Sequence, residues 1–201
     1  MKMRARSSCL QRRRLLLGTC LTGLLSVSPI SKAAAPASAN RTLILYFTWS
    51  GSSETVAKEV GRLTGGDLER IVVTDPYPDQ YQETTERAKA ERLSQARPAI
   101  MPLLHDPQDY DTIVIGHPIW GGTMPMAILT LCEGLRLSGK RLLHFTTHGG
   151  SGLGRSHEAL RAQFPDCRLE KGLAVYGWGG VRDLSAVKKW LDELKPEAPR
   201  A

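Results

Sequence analysis

Three short segments hold the residues best suited to bind a ligand. Thr48-Trp49-Ser50-Gly51-Ser52-Ser53 offers four hydroxyls and a glycine just ahead of a helical pattern. The start of a helix leaves backbone N–H groups unpaired at its positive end, which suits an anion such as a phosphate. No Lys or Arg lies between Tyr46 and Ala57. Hydroxyls and amides would therefore hold the anion, without the lysine of GxxxxGK[ST] loops. The same residues also make an ordinary Ser-rich helix cap.

The second segment is His117-Pro118-Ile119-Trp120-Gly121-Gly122-Thr123. Its tryptophan could stack on a planar ligand or could close a sheet edge as a core residue. Gly121 and Gly122 permit close backbone approach and positive φ. The third is Thr147-His148-Gly149-Gly150-Ser151-Gly152-Leu153-Gly154-Arg155-Ser156, with four glycines in six residues. It could pass close to a ligand or form a flexible surface turn. It does not match G-x-G-x-x-G, and Ser151 lacks the second glycine of a nucleophile elbow. No residue reads as a general acid, base or nucleophile, and no Cys/His cluster has zinc-site spacing.

Alternating strands and helices position these segments. Apolar runs predict strands at Leu43–Phe47, Leu68–Val73, Thr112–Gly116, Arg141–Thr147 and Gly172–Gly177. Most are continuous, as parallel strands covered on both faces are. Helical patterns span Ser53–Leu63, Met126–Leu135 and Ser156–Phe164, with a last one marked by Leu184, Val187, Leu191 and Leu194. Gln80–Arg97 is polar and reads as a surface helix with a weak buried face. The alternation implies one α/β domain with right-handed crossovers. In a 2-1-3-4-5 sheet, strands one, three and four are neighbours. The winding then reverses between one and three, so all three segments meet at the ligand crevice of a doubly wound sheet.

The chain has 201 residues, 41% of them hydrophobic and 23% charged, which excludes wholesale disorder. Its formal charge of +7 suggests nucleic acid until it is located. Residues 1–39 hold seven basic and no acidic residues, which leaves 20 of each sign in residues 40–201. Nucleic-acid binding is therefore not expected. The basic head, the apolar run Leu15–Val27 and Ala37-Ser38-Ala39 form the pattern of a secretory signal peptide. The apolar run is too short to span a bilayer as a helix, so no stable membrane span is expected once the signal is removed. Arg12-Arg13-Arg14-Leu15-Leu16 resembles the twin-arginine export motif, which implies a protein exported folded, to the periplasm or beyond. Cys132 and Cys167 read as buried thiols, with a disulfide conceivable in an oxidising compartment.

Thr48-x-Ser50-Gly51-x-Ser53 resembles the phosphate signature of the flavodoxin family. Tyr110-Asp111-x-Ile113-x-x-Gly116-x-Pro118-x-Trp120 resembles its second flavin loop, and Phe145-x-Thr147-His148-Gly149-Gly150-Ser151-Gly152 its third. The resemblance implies a flavodoxin-like, doubly wound, five-stranded parallel sheet of order 2-1-3-4-5 over 40–201, binding FMN. Thr48, Trp49, Ser50, Gly51, Ser52 and Ser53 would then form the phosphate loop. Pro118, Ile119, Trp120, Gly121 and Gly122 would line the ring, with Trp120 stacked on it. Thr147, His148, Gly149, Gly150 and Gly152 would line its pyrimidine edge. His117 stands where the family often has a small residue.

The implied function is electron transfer with redox partner proteins or a small donor or acceptor. An FMN-dependent NAD(P)H or quinone oxidoreductase on the same fold is the alternative, and a fold that has lost its flavin is a third reading. Many members are strongly acidic. Here neutrality, with His148 and Arg155 near the ring, is expected to raise the reduction potential.

Overall fold

The computed structural model describes residues 41–195, so the export-signal reading falls on residues outside the described range. The strands are β1 (Thr42–Tyr46), β2 (Asp67–Arg70), β3 (Thr112–Pro118), β4 (Arg141–His148), β5 (Arg168–Leu169) and β6 (Leu173–Tyr176). The helices are α1 (Ser52–Thr64), α2 (Tyr81–Leu93), α3 (Met126–Gly134), α4 (Ser156–Gln163) and α5 (Ser185–Glu193). All strand pairs are parallel, in the order 2-1-3-4-5, and β6 also pairs with β4.

Burial explains the order. Most of β1, β3 and β4 is buried along its length, because each strand is covered on both faces. Leu43, Leu45, Ile113, Ile115 and Leu142 pack against α3 and α4. Ile44, Tyr46, Val114, Leu143 and Phe145 face α1 and α5, where Val56, Val60, Val187 and Trp190 meet them. β2 is a polar edge that buries only Glu69. That carboxylate accepts the backbone N–H groups of Leu104 at 2.6 Å and His105 at 3.0 Å, and the His105 Nδ1–H at 2.9 Å. It pins the stretch leading into β3. β2 stops at Arg70, short of the expected Val73, because Val73 turns to an antiparallel bridge with Ile100. α2 ends at Leu93, short of Arg97, where Gln95 takes φ 52°.

The expected fifth strand, Gly172–Gly177, is β6, and the two-residue β5 precedes it in the chain. Leu142 pairs with Leu169 but Phe145 with Leu173, so one extra residue bulges between β5 and β6. The buried His144 ring lies against Gly172, where an added Cβ would come within 2.3 Å of Nε2. Arg161 donates to His157 Nε2, so the His157 proton sits on Nδ1 and is given to His144 Nε2 at 2.8 Å. His144 therefore carries its own proton on Nδ1, which finds no partner among the described residues. His117, on the same face of the neighbouring strand, donates Nδ1–H to the Pro118 carbonyl, and its Nε2 is likewise unpartnered.

Both rings are fully buried. Burial pulls the His117 pKa down from 6.5 to about 4. Burial, then His117 and His157, pull that of His144 down to about 3. Both stay neutral in the fold at pH values where the unfolded chain takes up protons. Stability from this pair is complete above about pH 6.5 and falls as pH drops toward the folded values. Chemical denaturation between pH 7 and pH 5 is expected to show a loss approaching 1.4 kcal/mol per pH unit for each histidine, as an order of magnitude. His117→Gln should roughly halve that slope. A midpoint flat across this range would contradict the assignment.

Candidate functional site

The first loop turns the chain from β1 into α1. Gly51, with φ 87°, caps the helix, and no side chain accepts its first N–H groups. The helix start is thus left open at its positive end. The hydroxyls around it are divided. Thr48 Oγ1 accepts the Gly51 N–H at 3.0 Å. Ser52 Oγ donates to the Gly177 carbonyl at 2.9 Å, and Ser53 Oγ pairs with Thr147 Oγ1 at 2.7 Å, both largely out of solvent. Ser50 alone of the four is exposed, with its Oγ 3.3 Å from that of Ser52. Two hydroxyls expected to face a ligand thus serve to anchor the loop. Trp49 is half-buried and gives its Nε1–H to the Pro78 carbonyl.

The second loop is a tight reversal. Trp120 and Thr123 exchange backbone hydrogen bonds at 2.9 and 3.2 Å. Gly121 and Gly122 between them take φ 56° and 84°, the pair of positive values a type I′ turn needs. Trp120 is half-buried, edge-on to Phe47 at 5.4 Å and to Tyr77 at 4.9 Å. Arg87 lies over the Tyr77 ring and pairs with Glu91, which accepts the Tyr77 hydroxyl. This links α2 to the loop. Pro118 ends β3, and the N–H of Ile119, just beyond it, bonds the Thr147 carbonyl.

The third loop docks on the second. Arg155 N–H bonds the Gly122 carbonyl at 2.9 Å, and Gly154 lies so close to that carbonyl that a Cβ would come within 2.5 Å. The Gly150 N–H is committed to His148 Nδ1 at 2.9 Å. That nitrogen accepts and so carries no proton. Burial also lowers the His148 pKa, which holds the ring neutral. Gly149 and Gly152 are the remaining expected glycines; Gly149 sits under Trp178, and the Gly152 carbonyl accepts the Thr146 hydroxyl.

Trp178 was not singled out by the sequence reading. It is 61% exposed and edge-on to Tyr81, itself 57% exposed. Its signal is legible in retrospect: Gly177-Trp178-Gly179-Gly180 follows the last parallel strand, as the other loops follow theirs. Cys132 and Cys167 are free thiols. Cys167 donates to the Leu137 carbonyl, and burial raises the Cys132 pKa to about 12. No group of metal-ligating residues exists among the described residues, and none of their helices is long and apolar enough to cross a membrane.

A doubly wound parallel sheet in which the loops after β1, β3 and β4 converge at the reversal of winding defines a class of ligand-binding α/β proteins. Residues 41–194 match the flavodoxin family, and the chain belongs to it. The chain is similar to a flavoprotein from Bacteroides eggerthii, at 31% identity and TM-score 0.68, over 78% of this chain and 98% of that one. A flavoprotein from Bacteroides uniformis matches at 28% and 0.68, over 77% and 99%. A flavoprotein from Lactobacillus acidophilus, solved in complex with FMN, matches at 25% and 0.60, over 76% and 99%. No curated protein matches the chain.

Thr147 ties the loops together, so Thr147→Val should loosen them. The change keeps the shape but strands the buried Ser53 hydroxyl, at a cost of about 1–2 kcal/mol. The double variant S53A/T147V should be less destabilised than the two single effects combined. Strict additivity in denaturation midpoints would show that the pair is not coupled.

Proposed function

We propose that the chain is an FMN-binding electron-transfer protein, exported folded with its cofactor. The observation that carries this reading is the uncapped start of α1 at the reversal of winding, beside the second and third loops. Family membership and the FMN complex of the Lactobacillus relative support it. The open N–H groups at Ser52, Ser53 and Glu54, with the Ser50 hydroxyl, fit a phosphate monoester without a counter-charge. The backbone of Ile119–Gly122 and of His148–Gly152 supplies walls for a planar ring, with Trp120 and Trp178 as the nearby aromatic residues. Bound FMN supplies the redox chemistry, and the protein binds it, orients it and sets its surroundings. His148, neutral and held by Gly150, contributes no charge of its own to those surroundings.

The purified protein is expected to be yellow, with flavin absorbance removed and restored by FMN. The flavin-free chain should bind FMN about tenfold or more tighter than riboflavin, which lacks the phosphate. Equal affinities would remove the first loop from the site. A turnover oxidoreductase is the second reading, favoured by the cavity of about 250 Å³ that Lys89, Arg92 and Trp120 line beside the second loop; steady oxidation of NADH or NADPH would select it.

The export part of the proposal rests on Arg12-Arg13-Arg14-Leu15-Leu16 and Ala37-Ser38-Ala39. Residues 1–39 fused to a reporter that folds before export should carry it out of the cytoplasm, and lysines at 12–14 should abolish this. Export unaffected by those lysines would refute the twin-arginine route.

A further inference from the structure

A cavity of about 250 Å³ opens between the second loop and α2. Three aromatic residues, Trp49, Tyr81 and Trp120, line it together with the Gly121 backbone. Their positions are fixed from behind. Trp49 is tied to Pro78, Trp120 packs on Phe47 and Tyr77, and Tyr81 stands 6.2 Å from Trp49. Lys89 and Arg92 also line it, and among the described residues no acidic one does.

The charge pattern along α2 is what gives the cavity a ligand class. Residues 81, 85, 88, 89 and 92 share one face of the helix and all line the cavity. The neighbouring Arg87 is saturated by Glu91 and Asp75. Lys89 and Arg92, in contrast, have no carboxylate within ion-pair distance among the described residues. Arg92 is half-buried, and its guanidinium lies along the second loop, where a Cβ on Gly121 would come 3.0 Å from Nε. Two cations without partners thus meet aromatic walls in a space of bicyclic-ring size. Aromatic walls favour a flat apolar body, and a planar guanidinium favours a carboxylate, sulfonate or phosphate at its edge. No residue of the third loop lines the cavity, and Trp49 alone comes from the first.

We propose that this cavity is a second small-molecule site, for a planar aromatic anion, on the α2 side of the second loop. It rests on the flavin reading through the second loop, whose Ile119, Trp120 and Gly121 line this cavity from the α2 side. The probe is 2-naphthoate, with the neutral 2-naphthamide as its control, titrated calorimetrically into FMN-loaded protein. One equivalent of naphthoate should bind without releasing flavin, with naphthamide weaker by about tenfold or more. The double substitution K89M/R92M should abolish that preference, and its melting midpoint and flavin absorbance report whether it is folded. Arg92→Lys, which keeps the charge but loses the planar fork, should bind at an intermediate level.

Absence of naphthoate binding, equal affinity for the two probes, or release of FMN by naphthoate would each overturn the proposal. Release of FMN would make the cavity part of the flavin site. FMN uptake is measured separately. A chain that takes up no FMN refutes the flavin reading, while the naphthoate titration on that flavin-free chain still decides this one.

Discussion

Thr147 is the residue on which the geometry of the carboxyl edge depends. Its hydroxyl meets Ser53 at the start of α1, and its carbonyl takes the Ile119 N–H at the end of β3. The next carbonyl, that of His148, takes the Gly177 N–H after β6. Three other loops are therefore fixed to two adjacent residues of one central strand. This is possible only because β1, β3 and β4 are adjacent, which the 2-1-3-4-5 order ensures. Buried hydroxyls are costly to leave unpaired, so the bond also keeps the first loop from drifting.

The same bond determines what the first loop can offer a ligand. With Ser52 and Ser53 turned inward, binding falls to backbone amides and to Ser50. The second and third loops follow the same logic. They join through the Arg155 amide and the Gly122 carbonyl, and pack so tightly that position 154 has no room for a Cβ. Walls made of backbone are rigid and nearly uncharged. They suit a large planar cofactor that brings its own reactivity better than they suit a reaction driven by side chains.

The sequence made the three central strands and all five helices legible, because continuous apolar runs and 3.6-residue spacing are local signals. What it hid is tertiary. The bulge between β5 and β6 exists because the His144 ring occupies the space over Gly172. β2 stops early because Val73 finds Ile100 on a distant segment. The three loop motifs were legible, but not the inward turn of Ser52 and Ser53, nor the neutral state of His148 set by the Gly150 amide. Trp178 was readable from its flanking glycines. Lys89 and Arg92 were not, since being unpaired beside a cavity depends on how α2 lies against Gly121.

Charge follows the same division between local and tertiary. The surplus of +7 belongs wholly to residues 1–39, and the remaining chain is balanced. In the folded domain many charged side chains are consumed in pairs, as Arg87 with Glu91, Arg97 with Glu133 and Arg141 with Glu170 are. Balance in count therefore leaves little net field, and a local imbalance gains meaning from being isolated. The first loop has no cation and could meet an anion with dipoles alone. Among the described residues, the face of α2 toward the second loop has cations without partners and no acidic neighbour in its cavity. The two proposed anion sites, on the two sides of the Trp120 turn, would thus differ in their physics. The first relies on short-range amide geometry, which salt hardly screens once the ligand is seated. The second relies on side-chain charge, which salt screens in proportion to its exposure.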